Sequence, residues 1–194
     1  MAIARQSDHS NNIALCGYSL HRVSVGSRQF SLIAGRPHSM GGPELTFPHY
    51  MARTYDIHSL EDSESRLRSL IDEADEEVIF LAHNGPHGLG ENAHDIWGCD
   101  FRAEEGDYGD PDLEAAIRYA KEEGRRVTAV VAGHMHQQLM DGGQRKWLVQ
   151  RDGTTYINAA RVPRIFKSGG ETMRHHVSVT LEEGEVVVEE LLVW

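Results

Sequence analysis

The chain has 194 residues, 40% hydrophobic and 25% charged, with a formal net charge of −11. That length and balance suit one globular domain with a real core. The acidic surplus argues against general binding to nucleic-acid backbones or anionic membranes, but not against a small phosphate ester held by metal ions.

Cys16 and Cys99 are the only cysteines. Without CxxC spacing they suit a reducing compartment and argue against a disulfide scaffold or a cysteine-rich zinc site. No apolar stretch has transmembrane length, and the start, MAIARQSDHSNN, lacks the apolar region of a signal peptide. The expected location is cytoplasmic.

In chain order, residues 1–12 read as a disordered or ragged start and 13–194 as one domain. Ile13 to Gly17 is a short apolar segment. His21 to Val25 and Gln29 to Ala34 flank Gly26-Ser27-Arg28, a hairpin pattern. Gly35 to Pro48 is a Gly/Pro-rich loop. Tyr50 to Tyr55 reads as a helical turn. Ser59 to Ala74 reads as an amphipathic helix, with a capping-box variant at Ser59 and Asp62 and a face of Leu60, Leu67, Leu70 and Ile71.

Val78 to Ala82 reads as a central strand, followed by a long structureless stretch from His83 to Asp110; such loops are usually functional. Pro111 opens a helix with Asp110 as N-cap and Gly124 as C-cap. Val127 to Ala132 reads as a second central strand. The pattern then turns to β: Lys146 to Gln150, Thr154 to Asn158, Val162 to Phe166, Arg174 to Leu181 and Glu185 to Trp194. The last two form a hairpin at Glu183-Gly184. An α/β domain with a mixed sheet or two packed sheets is expected.

The chemistry concentrates where the central strands end. VTAVVAGHMH runs into His134 and His136, and EVIFLAH into His83. On an extended backbone residues i and i+2 share a face, so His134 and His136 are expected on one side. Open α/β sheets build sites at such strand ends. Neutral imidazoles there suit a transition-metal ion, and Gly133 admits close approach. The bland alternative is a set of inert, hydrogen-bonded strand caps. His175 and His176, in a strand pattern, face opposite ways. His87 and His94 sit in the long loop.

The order of His83 and then Gly133-His134-Met135-His136 resembles the last two blocks of the calcineurin-like metallophosphoesterase superfamily. GRPHSMGGP, FLAHNGPHGLG, GDYGDPDL, VVAGHMH and INAARVPRI are similar to the branch found in cyanobacteria and plant plastids, from about Gly17 onward. The resemblance implies the C-terminal part of an α/β/β/α sandwich with mixed sheets, and two divalent ions (Mn, Fe or Zn). It implies His83 and His134 on one ion and His136 on the other. Asn84, His87 and Arg161 are then the expected substrate-side groups. The implied substrate is a small phosphate ester or a phosphoprotein, and a plastid location applies if the gene is from a plant or alga.

The family's D-x-H, G-D-x-x-D and G-N-H-[D/E] blocks do not occur together, in that order, ahead of His83, and G-N-H-[D/E] occurs nowhere in the sequence. A partial domain is therefore expected, with one sheet face and one edge bare, poor solubility or self-association, and hydrolysis weak or absent. A two-metal site holds its ions roughly 3.5–4 Å apart and activates a bridging water, and three imidazoles supply no carboxylate to bridge them. The alternatives are a non-catalytic metal-binding or interaction domain, and a single-zinc hydrolase. The latter needs His83, His134 and His136 within about 2.1 Å of one ion.

Overall fold

The computed structural model describes residues 16–182 and 185–194. The polar start, most of the apolar segment after it, and the Glu183-Gly184 turn lie outside the described residues.

Strands β1 (Ser19–Val25) and β2 (Arg28–Ala34) form the expected antiparallel hairpin, with Gly26 at φ +60° in its turn. The chain then crosses to β3 (Glu77–Leu81), β4 (Arg126–Ala132), β5 (Leu148–Arg151) and β6 (Thr154–Asn158). The sheet order is β1-β2-β3-β4-β6-β5. The four inner strands run parallel, and β1 and β5 pair antiparallel at the edges. Parallel strands covered on both faces need near-continuous apolar runs, which EVIFL and VTAVVA supply.

One face carries α1 (Pro48–Tyr55), α2 (Leu60–Asp72) and α3 (Pro111–Glu122). Leu67, Ile71, Leu113 and Ala116 pack there against Ile33, Val78, Phe80 and Val130, all at most 2% exposed. Each large apolar side chain so buried contributes about 1.5–3 kcal/mol. Leu60 and Leu70 of the expected helix face are only partly buried.

The capping box forms one residue out of step. Ser59 Oγ accepts from the Asp62 amide at 3.1 Å, but Asp62 accepts from the His58 amide rather than that of Ser59. Asp110 takes the N-cap position of α3 without a capping hydrogen bond, because its carboxylate is engaged elsewhere. Glu123 is the C-cap of α3, and Gly124 follows it at φ +75°.

The chain ends in a second, antiparallel sheet of β7 (Ile165–Ser168), β8 (Glu171–Leu181) and β9 (Val186–Val193). On the other face of the main sheet Ile79, Ala129 and Ile157 are buried, while Leu81 and Leu148 are exposed. Arg28 on β2 donates to the Glu182 carbonyl beyond β8 at 3.1 Å. The described residues make an α/β fold with a mixed main sheet and a separate antiparallel sheet, and a second helical layer is not among them. His175 is buried against Glu190 and His176 is exposed, as alternation on one strand requires. Among the described residues no helix is long and apolar enough to cross a membrane.

Candidate functional site

β3 and β4 are parallel neighbours, so their C-terminal ends meet. The loops leaving them stay in register: the Ala82 amide donates to Val131 O and the Gly133 amide to His83 O, both at 3.0 Å. This brings the rings of His83 and His134 to a centroid distance of 4.9 Å, with their planes tilted by 44°.

His134 does not continue the strand. It sits at φ +65°, in the left-handed region. The expectation that His134 and His136 share a face by extended alternation therefore fails. The tight turn buries Met135 and leaves His136 exposed. Both histidines still border one open cleft of about 510 Å³, with His83, Val162 and Arg164. Among the described residues no carboxylate lines it.

The Gly/Pro-rich loop supplies a lid of backbone. Ser39 O faces His83 Nδ1, and Met40 O faces His134 Nε2 at 3.1 Å. A carbonyl can only accept, so each ring nitrogen carries the proton, which fixes both tautomers. His83 is left with Nε2 as its free lone pair and His134 with Nδ1. Burial, then the adjacent His83 ring, lowers the pKa of His134; the Met40 carbonyl opposes the shift and His136 adds to it. The shift favours the uncharged imidazole.

Beneath the loop lies a buried polar cluster. Arg36 makes a two-pronged pair with Asp112 and reaches Asp110 at 3.1 Å. Asp110 also accepts from Ser39 Oγ at 2.5 Å and Asn84 Nδ2 at 3.2 Å. Burial raises the Asp110 pKa to about 6, against the opposing pull of Arg36. A second buried cation, Arg145, holds the long loop. It donates to the carbonyls of His136, Ala93, Asp95 and Gly98 and to the Asp100 carboxylate.

The expected substrate-side groups do not gather at the cleft. Asn84 is fully buried, donating to Tyr108 O and Asp110, because the chain turns inward after His83. His87 borders a different cleft, against α3. The Arg161 guanidinium lies 5.2 Å from the Phe166 ring centre, in a neighbouring groove with Trp147. Arg164, three residues on, is the cation that lines the histidine cleft, and it forms no ion pair among the described residues. The Ser39 and Met40 carbonyls also went unanticipated; their only sequence signal is the Gly41-Gly42 pair that lets the loop close in.

Among the described residues no group of three or more His, Cys, Asp or Glu side chains is placed to hold a metal ion. Neither the two-ion site nor the three-histidine zinc site is formed by these residues as arranged. What the arrangement offers is two oriented imidazole lone pairs in a cleft lined by Arg164, which has no ion pair among the described residues.

No family model and no curated protein matches the chain. Its backbone overlaps a Thermus thermophilus sulfate thiohydrolase, SoxB, solved with glycerol, at a TM-score of 0.39 and 15% identity. That overlap covers 90% of this chain and 24% of the other. It also overlaps a putative 5'-nucleotidase from Staphylococcus aureus, solved with alpha-ketoglutarate, at a TM-score of 0.42 and 14% identity. There the shares are 90% and 29%, so this chain spans less than a third of either neighbour. Likeness at that level carries no argument about chemistry. What stands is the architecture: an α/β domain on a mixed sheet, with its histidines at the ends of two parallel strands.

Proposed function

We propose that this chain is a metal-dependent phosphoesterase-type domain that takes a phosphate ester into the cleft of His83, His134 and His136. Hydrolysis by this form is weak or absent. The observation that carries the reading is the pair of imidazoles at 4.9 Å, each with one ring nitrogen tied to a carbonyl and the other free.

Arg164 supplies the positive charge a phosphoryl group needs, in a protein whose net charge otherwise repels it. His134 stays neutral, so its Nδ1 lone pair remains available to a cation or a proton. A bound divalent ion supplies an acidified water. The described residues offer no carboxylate to bridge two ions, which is why turnover is proposed to be poor. Small phosphate esters and phosphoproteins both fit an open cleft.

The test is turnover of an aryl phosphate with added manganese, alongside metal analysis of the purified protein. Trace turnover that disappears in His134→Ala and His136→Ala supports the site. Rapid turnover lost in the same variants keeps the site and overturns the statement that this form is weak. A second reading, a non-catalytic binding domain, is favoured by the lack of any three-ligand group among the described residues. Metal content near zero with no turnover selects it.

A further inference from the structure

We infer that the turn Ser39 to Gly41 is a positioning device that sets the tautomers of both cleft histidines and so decides which nitrogens the cleft presents. The inference rests on the reading of that cleft as the functional site.

Two consecutive carbonyls serve the two rings. Ser39 O takes the His83 Nδ1 proton and Met40 O the His134 Nε2 proton. The rings are therefore held in opposite tautomers, and the free nitrogens are His83 Nε2 and His134 Nδ1. Lone pairs suit an electron-pair acceptor, a divalent cation first. An anion alone meets no N–H from either ring and has only Arg164.

The turn is itself held from below. Ser39 Oγ donates to Asp110 at 2.5 Å and accepts the Gly41 amide at 3.0 Å. The Gly42 amide donates to Tyr108 O at 3.1 Å. Asp110, 1% exposed, is further pinned by Arg36 and Asn84. Gly41 sits at φ +82°, and a Cβ there would meet Tyr108 O at 2.5 Å, so no side chain fits. The buried cluster thus acts on the cleft through one hydroxyl and one turn. Ser39 is a positioning residue in this scheme: its side chain touches Asp110, while its carbonyl holds His83. Asn84, which never reaches the cleft, contributes through the same carboxylate.

The experiment is imidazole nitrogen NMR on the full chain, above the pH range where histidine titrates, with assigned His83 and His134. The wild type is expected to show His83 protonated at Nδ1, the minor form of free histidine, and His134 at Nε2. Ser39→Ala should return His83 to the free-solution mixture, and Ser39→Thr should restore the wild-type pattern. A wild-type His83 protonated at Nε2 overturns the inference at once, whether or not any variant folds. So does a folded Ser39→Ala with unchanged tautomers. If the tautomers are as expected but zinc shifts neither ring and phenyl phosphate does not bind with manganese present, the positioning role stands and the proposed function falls.

Discussion

The two ends of the central strands carry charged and polar groups of opposite character. At the start, β2, β3 and β4 begin with Arg28, Glu77 and Arg126. Glu77 is 3% exposed and both oxygens are fully used. Arg28 donates at 2.6 and 3.0 Å, Arg126 at 2.8 Å, and Thr128 at 2.8 Å. Thr128 is the extra residue where the β3–β4 register shifts. Those partners hold the Glu77 carboxyl below its ordinary range although burial pushes the other way. At the far end, His83 and His134 each keep a free nitrogen and Arg164 has no ion pair among the described residues. The first cluster is closed and stabilises; the second is open. Open capacity at the C-terminal ends of parallel strands is what a ligand site requires.

Breaking the closed end should cost the most stability. Glu77→Ala strands two guanidiniums that remain partly solvated, a loss of about 2–3 kcal/mol. The melting temperature should fall by roughly 5–10 °C. Metal and phosphate-ester binding below that temperature should not change, and titration at 20 °C or so checks it. The open end should respond in the opposite way. His134→Ala removes no paired charge and should move stability by less than about 1 kcal/mol, while abolishing ligand binding. Thermal unfolding and ligand titration on one sample separate the two effects.

The two arginines offer a finer division. Arg164→Ala should weaken phosphate-ester binding about tenfold, the value of one charge-assisted contact of about 1.4 kcal/mol. Arg161→Ala should leave binding within about twofold, since its guanidinium stacks on Phe166 in another groove. Equal losses in both variants would merge the grooves and blur the comparison.

The smallest effects are in the pH dependence of stability. Asp110 lies at about 6 in the folded chain, above roughly 3.9 when unfolded. The folded chain keeps a proton there that the unfolded chain releases. Its contribution is present below about pH 4 and lost as pH rises toward 6. His134 is shifted downward, so its contribution is present above the ordinary imidazole range and lost on acidification. Denaturant melts from pH 4 to 8 should show Asp110→Asn flattening the first slope and His134→Ala the second.

Much of this frame was legible from residue pattern alone. Thr154 to Asn158 forms a strand over those residues, since a short β-branched and aromatic run between turns leaves little choice. The meeting of His83 and His134 followed from two apolar strands with histidines beyond them. Side-chain direction past a strand end was not legible. His134 leaves the strand at a positive φ, and Asn84 turns inward to groups 24 and 26 residues away. Arg161 and Arg164 flank Val162-Pro163, where no periodicity fixes which one faces the cleft. β5 begins at Leu148 rather than Lys146, because Lys146 is bonded to the long loop through His94 O and Asp95. These outcomes depend on partners distant in sequence, which a local pattern does not encode.

The central claim is that a phosphate ester enters the cleft between His83, His134 and Arg164. Its most direct test is titration of phenyl phosphate, with manganese present, into wild-type protein, His134→Ala and Arg164→Ala. The expected result is saturable binding by the wild type, lost in His134→Ala and about tenfold weaker in Arg164→Ala. Binding that both variants retain at full strength, or no binding by the wild type, would contradict it.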